Sequence, residues 1–136
     1  MFENHKKGEV GELEVAVDLL ERGYEVFEPI SQNCAADLVV QDPESKEFFS
    51  VQVKHVSRNE NRITTSFRRS VISESGRDRK TNTDFDVAAV YCPELDQCFY
   101  VPEEEFEECL TLRIDSERNM SSIRWASDFE DFPNET

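Results

Sequence analysis

Between residues 6 and 22 apolar side chains recur at steps of three and four. Val10, Leu13, Ala16, Val17 and Leu20 share one side of a helix, and Glu9, Glu14, Asp18 and Glu21 lie largely away from it. The pattern predicts an amphipathic helix over 6–22, with Gly23 as its C-cap. The period then falls to two. Residues 24–27 predict a strand and 29–34 a polar loop. Leu38, Val39 and Val40 form one apolar run and residues 48–53 another. Asp42-Pro43-Glu44-Ser45 between them is turn chemistry, so two strands around a tight turn are predicted. Residues 57–61 are turn-like, and 63–67 have β-branched strand character. Residues 70–84 are rich in Ser and charge and poor in apolar side chains. They predict a mobile loop, with a short helical turn near 81–84. Residues 85–91 are the most hydrophobic run and predict an interior strand, with 92–96 as a turn and 97–101 as its hairpin partner. A short helix is predicted at 102–106, where proline opens the first turn, and 110–114 alternates like a strand. Residues 123–129 predict a final strand or turn with Trp125 packed on the body, and 132–136 a frayed end. No repeat or linker interrupts the chain, so 1–136 reads as a single domain.

Composition narrows the class. An apolar content of 38% supports a folded core. No apolar run is long enough for a membrane span, and the first seven residues lack the apolar segment of a signal peptide, so a cytoplasmic protein is expected. Cys34, Cys92, Cys98 and Cys109 show no C-x-x-C spacing. They read as reduced, buried thiols acting as small hydrophobes rather than as a zinc site with His55.

Charge changes the picture more. The net charge is −15, which taken alone argues against a nucleic-acid partner. Its distribution argues the other way. From residue 51 to residue 82 eight basic residues (Lys54, Arg58, Arg62, Arg68, Arg69, Arg77, Arg79 and Lys80) face three acidic ones. That segment is therefore +5 and the remainder −20. One basic segment on an acidic body suits a DNA-binding protein adapted to a halophilic cytoplasm, where salt screens the self-repulsion.

The candidate chemistry lies in residues 35–54. Strand alternation places Gln52 and Lys54 on one face, with Val51 and Val53 on the other. Asp37 at the head of the preceding strand would stand close to that pair. A carboxylate, an amide oxygen and an ammonium at one point suit a divalent metal, a water and a phosphate. Glu12, at the margin of the helix stripe, is either a solvated charge or a carboxylate aimed across the sheet at Asp37. His55 lies on the face opposite Lys54 and reads as structural. The acid cluster 103–108 reads as a solvated helix face.

Helix with Glu12, strand, strand with Asp37, strand with Gln52-x-Lys54: this order resembles the PD-(D/E)xK nuclease superfamily. Lys7-Gly8-x-x-x-Glu12 is similar to the first helix of archaeal Holliday junction resolvases. V-Y-C-P-E-L-D at 90–96 and F-Y-V-P at 99–102 are closer to small archaeal and viral endonucleases grouped with an intron homing endonuclease, in which Gln-x-Lys replaces the usual acid-x-Lys. The resemblance implies an α/β, restriction-endonuclease-like core: an N-terminal helix followed by a mixed central β-sheet with short flanking helices. It further implies Mg²⁺, with Mn²⁺ as a substitute, held by Asp37, Glu12 and the Val53 carbonyl. Lys54 would orient or activate the attacking water, and Gln52 would hold a water or the substrate. Arg58, Arg62, Arg68, Arg69, Arg77, Arg79 and Lys80 would contact DNA, and the chain would assemble as a homodimer or tetramer. Ala36 replaces the signature proline, which does no chemistry. Gln52 removes a full negative charge, which lowers the expected affinity for Mg²⁺. Two other classes stay open: a non-catalytic nucleic-acid-binding module of the same fold, and a structural protein whose basic segment meets its own acidic surface.

Overall fold

The computed structural model describes residues 2–31, 34, 36–73, 76–81, 85–106, 108–114 and 124–133, and only the backbone of 2–5, 68–73 and 76–81. Helix α1 spans Phe2–Glu21, four residues earlier at its start than predicted. Among the described residues nine strands follow: β1 (Glu25–Phe27), β2 (Leu38–Gln41), β3 (Phe48–His55), β4 (Arg62–Ser66), β5 (Arg68–Ser73), β6 (Gly76–Thr81), β7 (Val87–Cys92), β8 (Gln97–Pro102) and β9 (Cys109–Arg113). The central sheet has the order β1-β2-β3-β7-β8. It is mixed, because β3 and β7 run parallel while every other neighbouring pair is antiparallel. The predicted hairpins β2–β3 and β7–β8 are both present, and Lys46 takes a positive φ of 65° in the turn of the first.

The two faces of this sheet carry two cores. Val51, Val53, Val87, Ala89 and Tyr91 meet Val15 and Leu19 of α1 on one face. On the other, Ala88, Val90, Phe99 and Val101 meet Ile63, Leu110 and Leu112 of the β4–β9 pair. Buried on both sides, β7 has no solvated face, which is why its sequence is apolar throughout. At the C-terminal end of α1, Asp18 Oδ2 accepts bonds from Arg22 Nε and the Tyr100 hydroxyl, tying the helix to β8.

The helix stripe read from the sequence is corrected. Val10, Leu13, Val17 and Leu20 are 43–62% exposed, and the face on the sheet is Gly11, Val15 and Leu19. Both stripes have helical spacing. The sheet takes the one containing glycine, because a Cβ at Gly11 would lie 3.3 Å from Cβ of His55 and 3.5 Å from Cγ1 of Val53. A side chain there would press on the strand, and a Cβ would already need its neighbours to give by a few tenths of an ångström.

Other expectations change as well. Of the loop expected at 70–84, residues 70–73 and 76–81 belong to the antiparallel ribbon β5–β6, and 74–75 and 82–84, with most of the expected helical turn, lie outside the described residues. Cross-strand hydrogen bonding stabilises this ribbon despite its polar composition. The helix expected at 102–106 is a single 3-10 turn at Glu103–Glu105, and the last element is a 3-10 turn at Ala126–Phe129. Phe132 is not frayed. It is fully buried, with ring centroids 5.1 Å from Tyr24, 5.4 Å from Phe49 and 5.5 Å from Tyr100. All four cysteines are free, but only Cys92 and Cys98 are buried, whereas Cys34 and Cys109 are exposed. Among the described residues no helix is long and apolar enough to cross a membrane.

Candidate active site

Asp37 stands where β2 leaves β3. Its N–H donates to the Val51 carbonyl at 2.8 Å, just before the β2–β3 ladder begins at Leu38 opposite Val51. Its side chain then acts as the missing strand. Oδ2 accepts the Val53 N–H at 2.8 Å and the Gln52 amide nitrogen at 3.3 Å. A residue's N–H and C=O point to the same strand edge, so the Val53 carbonyl faces the same gap as Asp37. Asp37 is half-buried. Desolvation raises its pKa, while the Val53 N–H and then the Lys54 charge act against that rise.

Lys54 lies on the same strand face as Gln52. Its ammonium sits 5.5 Å from the centroid of Phe67, a buried ring packed at a tilt against Phe85 and Phe106. The negative face of that ring attracts the ammonium and limits where it can go. His55, on the opposite face as expected, packs edge-on to Tyr91 at 5.5 Å.

Glu12 follows Gly11, so the close helix–strand contact carries its carboxylate to the sheet end. It is half-buried and lines, with Asp37, Ala36, Glu28 and Ser31, a pocket of about 260 Å³. Its pKa is raised by burial first, then by repulsion from Asp37, Glu28 and Glu9. Glu28, just past β1, had no signal in the sequence and reaches the pocket only through the fold. No group of three His, Cys, Asp or Glu side chains close enough to hold a metal occurs among the described residues.

A raised acid pKa means that the native state binds the proton more readily than the unfolded chain. The resulting stability is present in acid and is lost as pH rises from the ordinary carboxylate value through the raised one. At neutral pH the charged Glu12 therefore works against folding. Glu12→Gln is expected to raise the thermal midpoint at neutral pH, with the gain shrinking in acid. Calorimetry across pH checks this, and an unchanged or lower midpoint at neutral pH would contradict it.

The basic residues are dispersed more than their sequence positions imply. Arg58 is held in a turn, its Nε donating to the Glu60 carbonyl at 2.7 Å. Arg62 is in β4 and exposed. The other five sit on the β5–β6 ribbon, where the register sets Arg69 opposite Lys80, Ser70 opposite Arg79 and Ile72 opposite Arg77.

A first helix carrying an acid over a mixed five-stranded sheet, with Asp and x-Lys where two strands part, makes this a restriction-endonuclease-like fold. The profile of the PD-(D/E)XK endonuclease family matches residues 2–132, and the chain belongs to that family. A solved structure similar to it is that of the bacterial homing endonuclease I-Ssp6803I, with a TM-score of 0.71 and 20% sequence identity over 92% of this chain and 86% of that one. No protein of curated function matches the sequence.

Proposed function

We propose that this protein is a divalent-metal-dependent endonuclease that hydrolyses DNA phosphodiester bonds, with Glu12, Asp37, Gln52 and Lys54 as its working side chains. The observation that carries the reading is the position of Asp37. It holds the end of β3 through the Val53 N–H while it shares a pocket with Glu12 and the electrostatic field of Lys54.

The donor set fits a hard cation. Glu12 and Asp37 are partly desolvated and Glu12 is further repelled by Asp37, which a 2+ charge would relieve, and the bonds from Val53 and Gln52 to the Asp37 carboxylate both fall on Oδ2, leaving Oδ1 for a ligand. Glu12, Asp37 and the Val53 carbonyl would hold Mg²⁺ or Mn²⁺. Such an ion supplies charge to polarise a phosphoryl oxygen. Lys54 orients the attacking water and offsets the negative charge that grows on the phosphate oxygens. The Phe67 face keeps its ammonium from wandering. Gln52 donates to Asp37, which a glutamate at this position could not do, and so steadies the aspartate without adding charge.

The β5–β6 ribbon is the proposed DNA-contacting element, since a two-stranded ribbon fits a major groove and this one carries Arg68, Arg69, Arg77, Arg79 and Lys80. The acidic remainder suits concentrated salt, and a symmetric dimer or tetramer would offer one site to each strand. Cleavage of supercoiled, linear and branched DNA with Mg²⁺ or Mn²⁺ in molar KCl tests the reading, and absence of cleavage on all three removes it. Binding alone, independent of metal, would favour an inactive DNA-binding member of the family, a reading supported by the uncharged Gln52 beside Asp37. Arg77→Ala with Arg79→Ala is expected to lower the slope of log K against log salt by about two, one per lost phosphate contact. Fluorescence anisotropy across a salt series checks this, and an unchanged slope would exclude the ribbon.

A further inference from the structure

The outer face of α1 is unaccounted for by the site. Of seven large hydrophobic side chains exposed among the described residues, four lie on one stripe: Val10, Leu13, Val17 and Leu20. Their steps of three, four and three are the a/d spacing of a coiled-coil seam. At 100° per residue the stripe points directly away from Gly11, Val15 and Leu19, the face on the sheet. Leu13 is 62% exposed and Leu20 55%, in a chain whose net charge would otherwise keep it well hydrated.

We propose that this stripe is the interface between two copies of the chain, packed as antiparallel α1 helices about a twofold axis. The charges flanking the seam choose the direction. In a parallel pair Glu9 would face Glu14 of the other copy on both sides of the axis. In an antiparallel pair Val10 meets Leu20 of the second copy and Leu13 meets its Val17. Lys7 then stands beside Glu21 of the other copy at both ends, leaving a single Glu14–Glu14 contact at the centre. Lys7 and Glu21 are exposed and within reach of such a partner. The four side chains leave roughly 350 Å² open per copy, so pairing them forms about 700 Å² of apolar centre within an interface that must reach about 1,200 Å² in total. The remainder falls to the flanking charged stems and the ends of the helix. This interface adds the surface to the oligomer suggested above, and its existence does not depend on whether the chain cleaves DNA.

Each copy carries −15, so salt should strengthen this association while weakening DNA binding. Sedimentation equilibrium of the full chain in low salt and in molar KCl provides the test. A dimer is expected, tightening as salt rises. Leu13→Glu with Val17→Glu should shift its dissociation constant at least a hundredfold, with the circular dichroism spectrum unchanged because both positions are exposed. Glu21→Lys should weaken it and Lys7→Glu added to Glu21→Lys should restore it. A monomer at every salt concentration, or an oligomer indifferent to the Leu13 and Val17 substitutions, would overturn the proposal. So would charge reversal that weakens association without rescue. The readout is mass, so failure here leaves the nuclease reading untouched, and failure to cleave DNA leaves this interface standing.

Discussion

Asp37→Ala should cripple cleavage and loosen the strand that carries Lys54. Two functions end with one carboxylate. As the proposed metal ligand it is irreplaceable by a methyl group, and loss of one oriented electrostatic group of this kind costs on the order of 10²–10³-fold in turnover. As the acceptor for Val53 N–H it substitutes for a strand that has already departed. Removing it leaves that donor without its partner, at a cost of about 1–3 kcal/mol. Asp37→Asn separates the two effects, because its amide oxygen can still accept from Val53. Single-turnover cleavage and thermal melts should show Asp37→Asn folded but inactive, and Asp37→Ala both inactive and less stable. Metal-dependent cleavage surviving in Asp37→Asn would remove Asp37 from the chemistry. Equal stability of the two variants would show that the Val53 bond contributes little.

Gly11→Val is expected to destabilise the fold and to lower cleavage together. The atoms a side chain would meet are Cβ and Cα of His55 and Cγ1 of Val53, at 3.3, 3.7 and 3.5 Å. These belong to a strand held on both sides, so α1 must move outward instead. Overpacking of this sort costs about 1–3 kcal/mol. Alanine should be milder, since replacing a helical glycine gains about 1 kcal/mol and offsets part of the crowding. The displacement also carries Glu12 away from Asp37, so cleavage should fall in both variants even where the fold survives. Denaturant melts with cleavage assays decide the matter. Wild-type stability and activity in Gly11→Val would show that the helix leaves room for a side chain against His55 and Val53.

Much of the fold was legible because period and punctuation agree locally. The β2–β3 hairpin follows from Leu38-Val39-Val40, Asp42-Pro43-Glu44-Ser45 and the run after Phe48. The β7–β8 hairpin follows from an apolar run and Cys92-Pro93. The ribbon was not legible. Residues 68–81 contain little to bury, and its pairing comes from backbone hydrogen bonds that carry no hydrophobic signature. Phe132 was misplaced for the opposite reason. A single aromatic near a chain end gives no periodicity, and its burial depends on three rings from distant elements.

What the sequence determined by itself was the candidate set and its order: an acid on a helix, Asp37 heading a strand, and Gln52 and Lys54 two residues apart on the next. Alternation along a strand is a local rule, and it holds wherever the strand lies. Tertiary structure decided which of two helical stripes meets the sheet, and it chose the one with fewer large apolar residues. That choice rests on how closely a glycine lets two backbones approach, a property of the pair of elements that neither strand nor helix expresses alone.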